Sequence, residues 1–200
     1  MSKEWSAAQV WELRWWNKCA NTYSEEMKQL LFADRMGLVR VPDEKTPYRF
    51  DMEEKSVLDI GGGPVSLLLK CVRVRGTVID PLEFPNWVME RYKSAGISFE
   101  RMKAEDMNIE ERFDECWIYN CLQHVEDPCK IIEKARKIAK LIRIFEWLGT
   151  LNNVEGHPSS LYEECLNQWL RGEGKVEQFS GKDGCIGKGY YGVFPCVMDD

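Results

Sequence analysis

From Ser56 onward, short apolar runs alternate with helix-like segments, and this alternation limits what the chain can fold into. SVLDI (56–60) reads as a strand, PVSLLLKC (64–71) as a short helix and GTVID (76–80) as a second strand. PNWVMERYKSAG (85–96) is a helix with Gly96 past its end, and ISFERMK (97–103) and FDECWIYN (113–120) are strands. EDPCKIIEKARKIAK is a helix with Asp127 as N-cap and Pro128 in its first position. LIRIFEW is a fifth strand, and SSLYEECLNQWLRG is a helix that Gly172 ends. Such alternation implies one mostly parallel sheet with helices on both faces. The tail, roughly KVEQFSGKDGCIGKGYYGVFPCV, breaks the pattern with two strands around a Gly-rich turn. Strands joined so closely must be antiparallel, which puts a reversed hairpin at one edge.

The first third reads differently. Ser6 with Gln9 forms a capping-box start, after which Trp11, Trp15 and Cys19 recur at helical spacing. Ser24 caps a second helix to about Met36, closed by Gly37. VPDEKTPYRFDMEEK, with two prolines and many charges, reads as a solvated connection. Residues 1–50 are therefore expected to form a helical cap and residues 51–200 the main domain. Eight tryptophans are many for 200 residues. Trp11 and Trp15 are expected to pack as core, while Trp16 and Tyr23 are candidates for an aromatic lid.

Totals exclude several classes. With 27 basic and 33 acidic residues, the net charge of −6 suits neither a nucleic-acid backbone nor an anionic surface. No apolar run reaches the ~20 residues of a bilayer span, and the N-terminus lacks a signal-peptide core, so a cytoplasmic protein is expected. The eight cysteines contain no C-x-x-C pair and there are only two histidines. This points to reduced thiols and no metal site.

The sharpest local signal is VLDIGGGPVS (57–66). A strand running into glycines and then a helix places the glycines at a carboxyl edge of the sheet, where open α/β sheets bind ligands. Gly61-x-Gly63-x-x-Ser66 is nearly a dinucleotide fingerprint, with serine in the last position. Asp59 separates the candidate ligands. Beside a pyrophosphate it repels by roughly several kcal/mol at low dielectric; beside a cationic, phosphate-free ligand it attracts. The alternative reading is that Asp59 only braces the turn. A second acid, Asp80, follows about twenty residues on, the spacing used to hold an adenosine ribose through its cis-diol.

From Val57 to the C-terminus the chain resembles the class I S-adenosylmethionine-dependent methyltransferases, in the branch that acts on varied small molecules. VLDIGGGP, the acid of TVIDPL, KAEDM and FDECWIYNCLQHVEDP carry the resemblance. It implies a Rossmann-like, seven-stranded, mostly parallel sheet with its last strand antiparallel, helices on both faces and an N-terminal helical cap. It also implies S-adenosylmethionine as cofactor. Asp59, Gly61, Gly62 and Gly63 would surround the methionine part, Asp80 the ribose, Ala104 and Glu105 the adenine. Asn120, Cys121 and Leu122 would lie under the sulfonium. Val65 stands where the family's third glycine falls, and Lys103 replaces the acid often found before the alanine.

The expected activity is methyl transfer to an oxygen or nitrogen of a small-molecule or sugar-like acceptor, by in-line displacement that depends on orientation. A general base is needed only where the acceptor must lose a proton. His124, after the fourth strand, His157, in a loop before a helix, and Glu146, ending the fifth strand, are the candidates; for Glu146 an orienting role is favoured. Two other readings stay open: a non-catalytic module that binds S-adenosylmethionine, and a nucleotide-cofactor oxidoreductase, against which Asp59 and Ser66 speak.

Overall fold

The computed structural model describes residues 3–41, 49–149, 157–181 and 185–197. Two helices, α1 (Lys3–Trp16) and α2 (Cys19–Arg35), precede the sheet. The strands are β1 (Phe50–Ile60), β2 (Cys71–Asp80), β3 (Ser98–Arg101), β4 (Phe113–Tyr119), β5 (Ala139–Leu148), β6 (Lys175–Ser180) and β7 (Ile186–Pro195). Helices α3 (Asn86–Ser94), α4 (Pro128–Ile138) and α5 (Glu163–Leu170) connect them. The seven strands lie in the order β3-β2-β1-β4-β5-β7-β6. All pairings are parallel except those of β7, which runs antiparallel between β5 and β6. The reversed strand is therefore internal, and β6 is the edge.

Side-chain parity along the strands divides the core in two. Leu58, Ile60, Cys116, Ile118, Ile142 and Ile144 face one side, where α4 and α5 supply Ile131, Ile132, Leu166 and Leu170. Val57, Val78, Trp117, Tyr119 and Phe145 face the other, where α2 and α3 supply Phe32, Ala33, Met36, Val88 and Tyr92. Strands buried on both faces read as continuous apolar runs, and the end of β1 is buried at every position from Ser56 to Ile60.

Several boundaries depart from the sequence expectation, each for a local reason. Ser6 and Ser24 lie inside α1 and α2 and do not cap them. The helix expected over 64–71 is two 3₁₀ turns, Gly63–Val65 and Leu67–Lys70. Only ten residues separate β1 from β2, too few for a crossover helix. Leu67 and Leu68 of these turns join the core cluster that Phe32, Ala33 and Met36 of α2 also enter, with Leu68 set over Gly76 of β2. At the end of α5 it is Arg171, not Gly172, that takes the left-handed turn, with φ 55°. Asp127 caps α4 as expected, accepting from the Lys130 N–H.

A buried charge group fastens α2 to the far end of the sheet. Glu115 is almost fully buried and accepts from Arg143 Nε (2.7 Å), Arg143 Nη2 (3.2 Å), Trp117 Nε1 (2.9 Å) and Lys55 Nζ (3.1 Å). Burial pushes its pKa up, but the Arg143, Trp117 and Lys55 contacts outweigh it and hold the carboxyl below its ordinary range. Arg143 also donates to the Met36 and Gly37 carbonyls at the end of α2. Truncating one member of a buried pair strands the other charge. Arg143→Ala is expected to lower stability by about 3 kcal/mol, read as a shifted urea midpoint.

Candidate functional site

The glycine turn at the end of β1 is shaped from below. Gly61 has φ 72°, and a Cβ there would lie 2.7 Å from Cys121 Cβ; a Cβ on Gly62 would lie 2.7 Å from Asp59 Oδ2 and 2.9 Å from Val78 Cγ1. The chain needs glycine at both, one for its backbone angle and one for close approach. Asp59 is fully buried beneath this turn, not at its mouth. Its Oδ2 accepts from Ser66 Oγ (2.5 Å) and Tyr119 OH (2.8 Å), while Oδ1 has no partner. Ser66 Oγ accepts in turn from the Leu68 N–H, and Tyr119 OH from the Leu67 N–H. Serine stands where a dinucleotide turn has glycine because it ties the turn to this acid. Gly63 sends its N–H to Asp80 Oδ2 (3.1 Å), and Leu82 sends its own to Asp80 Oδ1 (2.9 Å).

Two cavities open along the carboxyl edge of the sheet. The larger holds about 400 Å³ and is walled by Trp11, Trp15, Trp16, Trp147, Gln29 and Gln123 among others. The smaller, about 40 Å³, lies over Asp80, Ala104 and Glu105 and is closed by Trp5, Gln9 and Glu12 of α1. They adjoin at Gly61, Glu12 and His124, which line both. Trp5 is buried there, and Lys103 Nζ stands 3.8 Å from its ring centre, a cation–π contact that docks α1.

Of the residues expected at a site, Gly62, Asn120 and His157 face the larger cavity, and Asp80, Ala104, Glu105 and Cys121 the smaller. Asp59, Gly63, Leu122 and Glu146 line neither. Leu122 is wholly buried in the core. Glu146 is fully buried and accepts from the Cys121 (3.0 Å) and Leu122 (3.1 Å) N–H groups. It holds the loop after β4 in place and reaches no ligand space. Asn120, in the left-handed region with φ 51°, is turned by this loop toward the larger cavity. The two histidines meet edge to face at 4.7 Å, since Ser159 binds back to Gln123 O and Val125 O. Trp11 and Trp15 are not core as expected; they stack at 5.4 Å on the cavity wall. Trp16 also lines that wall, and the side chain of Tyr23 lies outside the described residues.

Sequence reasoning missed Glu12, Gln29, Gln123 and Trp147. Gln29 and Gln123 are almost fully buried, yet each leaves its Oε1 without a donor. Only the helical spacing of Glu12 with Trp5, Ala8 and Trp16 could have placed it beside the others.

The site is electrostatically unusual. Burial raises the carboxyls of Asp59 and Glu146 to about 7, and the nearby Asp80 charge adds to the effect at Asp59. Burial also raises Asp80 and Glu12, and Glu12 repels Asp80 further. Burial, with His124 beside it, lowers His157 to about 4, so its ring is neutral near pH 7. Among the described residues no metal-binding cluster occurs, the cysteines are free thiols and no helix is long and apolar enough to cross a membrane.

No protein-family profile matches the chain, and no curated sequence matches it. Solved structures do. The 1,6-didemethyltoxoflavin-N1-methyltransferase of Burkholderia thailandensis, solved with bound 1,6-didemethyltoxoflavin and S-adenosylhomocysteine, aligns over 96% of this chain and 87% of its own at TM-score 0.64 and 14% identity. The N-methyltransferase NodS of Bradyrhizobium japonicum covers 86% of this chain and 94% of its own at TM-score 0.56 and 16% identity. The [4+2]-cyclase SpnF covers 87% and 81% at TM-score 0.58 and 12% identity. The fold is thus that of the class I S-adenosylmethionine-dependent methyltransferases, and the presence of a cyclase among its neighbours shows that the fold alone does not fix the reaction.

Two outcomes test this geometry. An acid whose folded pKa is raised stabilises the fold below its unfolded pKa, and that stability is lost as pH rises through the folded value. His157 acts in the opposite sense, but only below about 6.5. Raising the pH from about 6.5 to 8 should therefore lower the stability of the ligand-free protein by up to about 1 kcal/mol for each acid that titrates near 7, read as a lower melting temperature. Glu146→Gln should shrink that difference in thermal melts. Gly62→Ala, forced against Asp59 and Val78, is expected to cost about 1–3 kcal/mol in denaturant unfolding.

Proposed function

We propose that this protein is an S-adenosylmethionine-dependent methyltransferase acting on a small-molecule acceptor. One observation carries the reading. The cleft over the glycine turn is lined by Asp80 and Glu12, and no cation among the described residues pairs with either. A phosphate-bearing ligand is repelled there; a sulfonium is attracted.

The residues suit the cofactor. Asp80 gives one lone pair on each oxygen to a backbone N–H and keeps others for a diol. Ala104 and Glu105, beside Ile79 and Met102, offer a partly apolar shelf for a flat base. The space over Asp80 is small because Trp5, Gln9 and Glu12 fill it. Ligand pockets usually hold ~300–1,000 Å³, so side chains of α1 over Asp80 repack for a nucleoside to bind. When bound, S-adenosylmethionine supplies an electrophilic methyl on a positively charged sulfur.

The chain's own residues would then position the acceptor. The tryptophan walls of the larger cavity suit a flat or sugar-like molecule. The undonated Oε1 atoms of Gln29 and Gln123 favour one that brings N–H or O–H donors. His124 stands at the seam between the cavities, where a leaving proton can be taken up. His157, neutral and weakly basic, orients by hydrogen bonding and edge contact.

Calorimetry with S-adenosylhomocysteine should show saturable binding and none with NAD. Asp80→Ala is expected to weaken that binding by roughly 1–3 kcal/mol. Unchanged affinity, with circular dichroism showing an intact fold, removes the ribose role. Release of S-adenosylhomocysteine across a panel of amine and hydroxyl acceptors tests turnover.

A further inference from the structure

Resting on the methyl-donor reading, we propose that Glu12, from the N-terminal helix α1, is the counter-ion to the donor's sulfonium. The argument is one of placement. Glu12 lines both cavities and, with Gly61 and His124, forms the seam between them. A donor whose nucleoside end lies over Asp80 and whose methyl is offered to the larger cavity has its sulfur at that seam. The carboxylate there must therefore face the one atom that carries charge in the donor and none in the demethylated product.

The neighbouring acids do not compete for this role. Glu25 also lines the larger cavity, but Lys28 neutralises it at 2.6 Å. Asp59 is sealed beneath the turn by Ser66 and Tyr119. Asp80 lines only the smaller cavity, where its remaining lone pairs serve the ribose. Glu12 accepts only a long bond from Trp16 Nε1 (3.5 Å) and meets no cation among the described residues. Two buried polar groups of this cavity have acceptor capacity to spare: Gln29 and Gln123 line it, nearly fully buried, each with an undonated Oε1. Desolvation raises the Glu12 carboxyl to about 7, and a cation beside it would bring it back toward the ordinary carboxylate range.

The test is a comparison of two ligands by calorimetry near pH 8, on the wild-type protein and on Glu12→Gln, which keeps the shape and removes the charge. Glu12→Gln is expected to weaken S-adenosylmethionine at least about tenfold and S-adenosylhomocysteine by less than about threefold. Glu12→Asp should recover part of the loss for the methyl donor alone. Equal weakening of both ligands overturns the proposal, since Glu12 would then serve the amino-acid arm or the packing of α1. No weakening of either overturns it as well. Wild-type protein that binds neither ligand defeats the methyl-donor reading itself, a result separate from any difference between variants.

Discussion

Everything at the ligand edge depends on one buried carboxylate. Asp59 joins Ser66, on the turn after β1, to Tyr119, at the end of β4, and both of those hydroxyls accept backbone N–H groups from the second 3₁₀ turn. Tyr92 of α3 closes the network, donating to Gly63 O and accepting from the Ser66 N–H. A ten-residue crossover has no room for a helix whose own hydrogen bonds would hold the turn rigid. Side-chain hydroxyls from three elements do so instead, and a buried network of this kind fixes one geometry only while every member stays in place.

The same shortage of chain explains the role of α2. Without a crossover helix after β1, Leu67 and Leu68 would lie bare on one face of the sheet. Phe32, Ala33 and Met36 of α2 enter the same core cluster, and Arg143 holds the far end of that helix through the Met36 and Gly37 carbonyls. The N-terminal region is thus two things. Helix α2 is part of the domain core, while α1 lies over the ligand edge and touches it through Trp5, Gln9 and Glu12.

How much of this was legible depended on which physical signal each residue carried. The strand-helix alternation and the reversed tail specified the sheet, because only a mostly parallel order accommodates them. Asp80 and the glycines were legible because their spacing repeats a ligand geometry. The depth of Asp59 was not, since β1 is buried on both faces and alternation gives no hydropathy contrast there. A signal did exist: Asp59 shares parity with Val57, which faces α2 and α3 and not the ligand. Glu146 was placed at the correct edge, yet its side chain turns under the backbone of Cys121 and Leu122. The spacing of Glu12 with Trp5, Ala8 and Trp16 gave its helix face, but not where α1 docks.

That docking has an electrostatic consequence. Laying α1 over the cleft desolvates the Glu12 carboxylate beside Asp80, and among the described residues no cation pairs with either. Burying unpaired like charges costs free energy, while burial of Trp5 and its contact with Lys103 favour the docked helix. The docked helix is therefore held by apolar and cation–π contacts against an electrostatic penalty. A cation between the two acids removes that penalty. By linkage, whatever stabilises the cation against Glu12 stabilises α1 against the sheet by the same amount. The cap and the charge of its ligand are in this way two readings of one equilibrium.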